Sequence, residues 1–204
     1  MSPAMNREDA LAIVQEHVKD PGLRRHMIAV EAAMRHYARQ LAAQEEQDWA
    51  LAGLLHDFDW EIHPNIQDHP AKGAAILRGR GVPESVVTAI LSHNPEHTGV
   101  NPTRPLDYAL NACDEITGLI IATALVRPTK NIADVEVKSV KNKWKQPSFA
   151  AGVHRPEAEK VAADFSAACF NGQLDLWAHV GNVLTAMQSE AGALDLDGRL
   201  GTPA

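Results

Sequence analysis

The chain has 204 residues, of which 45% are hydrophobic, and its formal net charge is −7. This length suits one domain, and the apolar content is sufficient for a hydrophobic core. The negative charge argues against general binding to nucleic acid, because phosphates require a basic surface. A small phosphorylated ligand in a locally basic or metal-containing pocket is still compatible with this charge.

Membrane and secretion signals are not expected. The sequence has no run of about 18 apolar residues that would form a membrane-spanning helix. Its first residues lack the basic start and the apolar run of a signal peptide. The two cysteines, Cys113 and Cys169, form no CxxC pair. A reduced, cytoplasmic protein is therefore the expected setting.

The first three elements are predicted to be helices, because apolar residues recur at helical spacing. Asn6 can cap the first helix, and the DPG segment at 20–22 ends it. The second helix carries an apolar stripe at Leu23, Met27, Val30, Met34, Tyr37 and Leu41. A third helix, over about Glu45 to Phe58, is apolar on nearly all sides, which indicates a buried helix.

The later segments continue the helical pattern. Residues 69–81 predict a short helix ended by glycines, and Pro83 suits the first turn of the next helix. Residues 94–105 contain three prolines and a glycine and predict a loop. Further helices are expected over about Leu106 to Val126, from Ser139, over Pro156–Phe170 and over Gln173–Ser189.

The fold class predicted from these elements is all-α. Residues 135–140 (VEVKSV) alternate in polarity, but they are too short and isolated to carry a sheet. We expect a single helical domain over residues 1–190, in which residues 139–190 form C-terminal helices. The last segment, residues 191–204, is expected to be a flexible tail.

Four polar residues are predicted to face the apolar interior. His26 lies at the edge of the apolar stripe of the second helix, His56 and Asp57 lie in the buried third helix, and Asp114 shares a stripe with apolar residues of the long helix. A buried carboxylate is costly unless it is paired, and few lysines or arginines lie in these helices. A divalent cation would balance the charge, and mixed nitrogen and oxygen ligands favour Mn, Fe, Ni, Co or Zn.

The order His26, His56-Asp57 and Asp114 resembles the metal-binding pattern of the HD superfamily of metal-dependent phosphohydrolases. The resemblance covers about residues 20–127. It implies an HD-domain helical bundle in which these four residues bind a metal ion.

Two further segments, HPAKGAAIL and AILSHNPEHTG, resemble the second histidine segments of HD-GYP-type members of this superfamily. Carried over by position, His69 and His93 would bind a second metal and Asp57 would bridge, so one or two ions are expected. The chain has His93-Asn94 where HD-GYP proteins have paired histidines, and it lacks the GYP segment. As a whole it is most similar to a bacterial subgroup described only as predicted HD hydrolases.

Three lysines are candidates for contact with a phosphorylated substrate. Lys72 could reach a phosphate. Lys138 and Lys141 belong to a basic run around Trp144 that could hold an anion near the metal. The alternative for this run is a solvated helix face with Trp144 packed inward.

The remaining acidic and histidine residues near these motifs have less specific roles. Asp59 and Glu61 could orient a ligand or carry a proton, or they could be solvated near a helix end. Histidines outside the cluster are expected at the surface, namely His17, His36, His63, His154 and His179.

The leading functional hypothesis is a phosphohydrolase that uses a metal-activated water, held by Asp57, on a small phosphorylated metabolite or nucleotide. One alternative is a diiron oxygenase, because some proteins of this fold use the same frame for O₂ chemistry. Another is a non-catalytic sensor that binds a metal or a nucleotide. No membrane or nucleic-acid partner is expected, and a homo-oligomer is possible.

Overall fold

The computed structural model describes residues 5–201, and these residues are mostly helical. Within them lie ten α-helices, α1 (Arg7–His17), α2 (Pro21–Leu41), α3 (Glu46–Leu55), α4 (Ala71–Gly79), α5 (Glu84–Ser92), α6 (Pro95–Thr98), α7 (Pro105–Leu125), α8 (Val137–Trp144), α9 (Arg155–Phe170) and α10 (Leu176–Ser189). Residues 5–201 contain no β-strand, and one isolated bridge joins Asn131 to Asp197. The predicted all-α fold is confirmed.

The first two helices begin at the capping residues that the sequence indicates. The Asn6 side chain accepts a hydrogen bond from the Asp9 backbone N–H at 3.0 Å, and Asp20 accepts one from the Leu23 N–H at 2.7 Å. These bonds satisfy N–H groups that a helix cannot pair within itself. Pro21 is the first residue of α2, where its missing N–H removes no helical hydrogen bond.

The end of α3 differs from the sequence prediction. The helix ends at Leu55, three residues before the predicted end at Phe58. His56 and Asp57 therefore lie in the turns that follow the helix rather than inside it. The directions of these two side chains therefore do not have to follow the regular spacing of residues around a helix.

The segment 94–105 was predicted to be a loop, but it contains the one-turn helix α6. Pro95 is compatible with this helix because proline is tolerated in a first turn. Gly99 then ends α6 with a left-handed φ of 72°, a conformation that glycine adopts without a steric penalty.

Helices α2 and α3 pack closely against each other. Met27, Met34 and Tyr37 of the predicted α2 stripe are fully buried, as is Trp49 of α3. A Cβ atom at Gly53 would lie 2.8 Å from the Glu31 backbone nitrogen. The absence of a side chain at Gly53 is thus what lets the two backbones approach.

The chain divides into two compact units, one ending at Leu110 and the other beginning at Asn111. The first unit contains α1 to α6, and the second contains α8 to α10, while α7 spans the division. The single domain expected over residues 1–190 stays a prediction. No helix among residues 5–201 combines the length and the apolar character needed to cross a membrane.

The C-terminal segment of the second unit is packed. Leu194 and Leu196 are fully buried, and the Ile132 N–H donates a hydrogen bond to the Leu196 carbonyl at 2.7 Å. These two leucines anchor part of the segment against the second unit, and the flexible tail expected over residues 191–204 stays a prediction. Residues 202–204 lie outside the described part of the chain.

His179 in α10 is buried, with 1% of its surface exposed, so its predicted surface position is wrong. Its Nε2–H donates a hydrogen bond to the Ala112 carbonyl at 2.9 Å. Burial lowers the pKa of His179 to about 4, and the hydrogen bond to Ala112 offsets only part of this effect. The imidazole is therefore neutral in the folded protein at neutral pH.

We expect Gly53→Ala to lower the free energy of unfolding by about 1–3 kcal/mol, because the added methyl group would push α2 and α3 apart. The measurement is the midpoint of urea unfolding. Gly79→Ala is the matched control, since a Cβ at Gly79 would meet no atom within 4 Å. Equal stability of the two variants would contradict the close-packing interpretation.

We expect acid to destabilise the protein through His179. An unperturbed histidine has a pKa of 6.5, whereas the pKa of His179 in the folded protein is about 4. Between these values the unfolded chain binds a proton that the folded chain does not, so stability falls as pH falls. Because one pKa unit corresponds to 1.36 kcal/mol, the free energy of unfolding should fall by roughly 3 kcal/mol over this range.

The variant His179→Gln keeps an N–H donor but does not titrate. Urea unfolding at several pH values should show a shallower loss of stability in this variant between about pH 6.5 and pH 4 than in the wild type. Parallel curves for the two proteins would show that His179 does not cause the acid sensitivity.

Candidate metal centre

Two of the predicted ligands, His56 and His93, occupy equivalent positions at helix ends. His56 is the C-cap residue of α3, and His93 is the C-cap residue of α5. Each imidazole Nδ1 donates to the carbonyl three residues earlier, His56 to Gly53 at 2.8 Å and His93 to Ile90. The last carbonyls of a helix lack partners within the helix, so they are available as acceptors. The bonds leave each Nε2 with a lone pair that can bind a metal.

A first group of potential ligands consists of His26, His56 and Asp57. His26 reaches this group from α2, and its Nε2 lies 3.2 Å from the His56 Nε2. Asp57 contributes its Oδ2 atom, which lies 3.4 Å from the His56 Nε2 and 3.8 Å from the His26 Nε2. The group therefore combines two nitrogens and one carboxylate oxygen, a donor set that suits a divalent transition metal.

A second group consists of Asp57, His69 and His93. The His69 and His93 Nε2 atoms are 2.9 Å apart. Asp57 contributes its other oxygen, Oδ1, at 3.2 Å from the His69 Nε2 and 3.8 Å from the His93 Nε2. This group repeats the donor chemistry of the first.

Asp57 belongs to both groups through different oxygen atoms. This arrangement suits the predicted bridging role, because one carboxylate can then contribute a ligand to each of two ions. Its side chain is 19% exposed, whereas that of His56 is fully buried. The residues present thus fit two metal ions, and metal binding itself stays a prediction.

The carboxylate and the imidazoles perturb one another's ionisation. Burial by itself raises the pKa of Asp57, but the imidazoles of His56, His69 and His26 hold it well below its usual value. Burial lowers the pKa of His69, but hydrogen bonds to Asp57 and Asp59 outweigh that effect and raise the pKa to about 9. A metal ion that binds His69 must therefore displace the proton on its Nε2, the nitrogen that faces Asp57.

Asp59 is fully buried behind His69, so the alternative of a solvated residue is wrong. Its Oδ1 accepts a hydrogen bond from the His69 Nδ1 at 2.7 Å, and its Oδ2 accepts one from the Gly73 backbone N–H at 3.1 Å.

Glu61 belongs to neither group of candidate ligands and lies beside the connection between α1 and α2. Its carboxylate accepts hydrogen bonds from the Lys19 and Asp20 backbone N–H groups at 2.9 and 2.8 Å, in the connection between α1 and α2.

Two residues beside the second group were not identified from the sequence. The Trp60 ring meets the His69 ring edge to face at 5.1 Å, and Trp60 is 38% exposed. The Asn94 amide donates to the Ile66 and His69 carbonyls at 2.8 and 2.7 Å. Asn94 thus fixes the segment between His56 and α4, a contact across 25 to 28 residues that no local pattern reveals.

Lys72 is exposed, and its ammonium pairs with Asp68 at 2.8 Å. Asp114, Lys138 and Lys141 belong to the second unit, on α7 and α8. The Lys141 ammonium lies 5.1 Å from the centre of the Trp177 ring. The metal-binding role of Asp114 and the substrate-binding roles of the three lysines stay predictions.

The model of the HD domain family matches residues 23–121, a range that includes both groups and Asp114. The all-α fold and this match define an HD domain, whose fold is of the metal-dependent hydrolase type. The chain therefore belongs to the HD superfamily, as the resemblance predicted. No curated protein and no solved structure is similar enough to the chain to count as a match.

We expect the loss of Asp57 to affect both groups and the loss of one histidine to affect one. Asp57→Ala should lower the metal content of both, because each group loses an oxygen ligand. His26→Ala and His69→Ala should each remove about half of the bound metal, because each leaves one group intact. The measurement is elemental analysis of protein purified without added metal and again after reconstitution.

Circular dichroism is the control in this comparison, because helix content must be retained in all three variants. A uniform loss of metal in the three variants, with helix content retained, would contradict the division into two groups.

Proposed function

We propose that the protein is a metal-dependent phosphohydrolase that acts on a small phosphorylated metabolite or nucleotide. The observation that carries this proposal is the position of Asp57, which directs one carboxylate oxygen toward each of two groups of histidines. Membership of the HD superfamily supports a hydrolase-type activity.

His26, His56, His69 and His93, together with Asp57, would hold the metal ions. Bound divalent ions would supply positive charge at a phosphate ester and lower the pKa of water toward about 7. In this proposal Asp57 fixes the separation of the two groups and orients the attacking water. The hydrogen bonds of His56 and His93 to helix-end carbonyls hold their ligand nitrogens in place before a substrate arrives.

The net charge of −7 makes local positive charge necessary for a phosphorylated substrate. Metal ions are one source of this charge, and Lys72, Lys138 and Lys141 are proposed as further anion contacts. Lys72 is paired with Asp68 at 2.8 Å, so a phosphate would compete with that carboxylate.

The bridged pair of groups also supports the second candidate, a diiron oxygenase, because both activities need two neighbouring ions. The two functions differ in what they consume. An oxygenase would contain mainly iron and take up O₂ with its organic substrate, whereas a phosphohydrolase would release phosphate without O₂.

We expect the reconstituted protein to release phosphate from a panel of phosphomonoesters and nucleotides, and a chelator to abolish this release. Asp57→Ala should lower kcat/KM by more than about 100-fold, because it removes a ligand of both groups rather than a supporting contact. The assay measures phosphate after reconstitution with Mn, Fe, Co, Ni or Zn, in parallel with O₂ uptake.

Asp164→Asn is the control variant, because Asp164 is an exposed carboxylate of α9 that pairs with Lys160 at 3.2 Å. It should retain full activity. Retained phosphate release in Asp57→Ala would overturn the proposal. A protein that binds metal but releases no phosphate and consumes no O₂ would favour the sensor hypothesis.

A further inference from the structure

One carboxylate near the candidate metal centre, Asp59, belongs to neither group of candidate ligands, and yet it is fully buried. A buried carboxylate is stable only where donors surround it. Asp59 has two described donors on opposite oxygens, the His69 imidazole at 2.7 Å and the Gly73 backbone N–H at 3.1 Å. Both donors belong to the segment that leads from His69, one residue of the second group, into α4.

The bond to His69 decides which imidazole nitrogen can bind a metal. A carboxylate only accepts hydrogen bonds, so the His69 Nδ1 must carry a proton. The Nε2 atom, which faces Asp57 and His93, is then the nitrogen available as a ligand. His56 and His93 donate to backbone carbonyls instead, so His69 differs from them in depending on a side chain that a mutation can change.

The bond to Gly73 anchors the same carboxylate to the start of α4. Pro70, the residue that precedes α4, provides no side-chain cap for the helix. Asp59 supplies an acceptor for an N–H of the first turn, where a negative charge is also favoured by the helix dipole. A Cβ atom at Gly73 would overlap the Asp59 carboxylate. The glycine of the HPAKG segment is therefore required by the carboxylate behind it.

We propose that Asp59 is a positioning residue that selectively assembles the second metal group, by fixing the His69 ring and the start of α4 with one carboxylate. This inference rests on the proposed function, since it concerns the second of the two ions. The first group contains neither His69 nor a residue of α4. Loss of Asp59 should therefore leave the first ion in place.

Asp59→Asn tests this role with little change in size. An amide has one accepting oxygen and one donating nitrogen, so it cannot accept from both the imidazole and the Gly73 N–H. If the amide nitrogen faces His69, the ring must place its proton on Nε2 and lose the ligand lone pair. If it faces Gly73, two donors oppose each other and the start of α4 must move.

The experiment is a titration of the metal-free full chain with Mn²⁺. Calorimetry measures the number of bound ions and their Kd values, and electron paramagnetic resonance shows whether the ions are isolated or coupled. The wild type is expected to bind two ions and to give the spectrum of a coupled pair. Asp59→Asn should bind the first ion with unchanged Kd, and its affinity for the second ion should fall by about 10–100-fold. Its spectrum should be that of an isolated ion. Gly73→Ala should act in the same direction, because it displaces the carboxylate from the other side.

Two control variants separate positioning from a general loss of stability. Asp68→Asn removes a carboxylate from the same segment that pairs with Lys72 rather than with a metal-binding histidine. Ser85→Ala removes a hydroxyl at the start of α5 that donates a 2.7 Å hydrogen bond to a carboxylate at the start of α3. Both controls should bind two ions as the wild type does, even where their thermal stability is lower.

The outcomes distinguish this inference from the proposed function. A coupled pair in Asp59→Asn, or equal weakening of both ions, would overturn the positioning role and leave the proposed function standing. A wild type that binds one ion would overturn the assignment of the second group. A wild type that takes up no metal would overturn the proposed function and this inference together.

Discussion

The carboxylate of Asp57 is the interaction on which the candidate metal centre depends. It is largely enclosed, and four imidazole Nε2 atoms lie between 3.2 and 3.8 Å from its two oxygens. Burial alone would raise the pKa of this carboxylate, but the imidazoles of His56, His69 and His26 hold it well below its usual value. A metal ion that binds His69 must replace the proton on its Nε2, since metal binding requires an unprotonated imidazole nitrogen.

The rest of the first unit serves to place ligands around this carboxylate. Helices α3 and α5 end just before His56 and His93, and their last carbonyls accept the Nδ1–H of each ring. Helix α2 contributes His26, and it packs closely on α3 because Gly53 has no side chain. Helix ends thus fix the orientation of two ligands, and close helix packing fixes the distance to a third.

Two glycines have comparable roles at different distances from the metal centre. Gly53 permits the approach of two helix backbones, and Gly73 permits the approach of α4 to the buried Asp59 carboxylate. In both places the neighbouring atoms leave no room for a methyl group. Interiors packed at crystalline density respond to such small volumes, so each glycine is linked to the geometry of the ligands it lies beside.

The sequence by itself determined the all-α fold and the positions of most helices, because helical periodicity and capping residues are local signals. Residue order and the family resemblance also indicated the candidate ligands His26, His56, Asp57, Asp114, His69 and His93, whose metal binding stays a prediction. Only the tertiary structure decided which ligands meet, how Asp57 divides its oxygens between them, and that Asp59 and His179 are buried. These features arise from contacts between residues far apart in the chain, such as His179 with Ala112, and no local spacing encodes them.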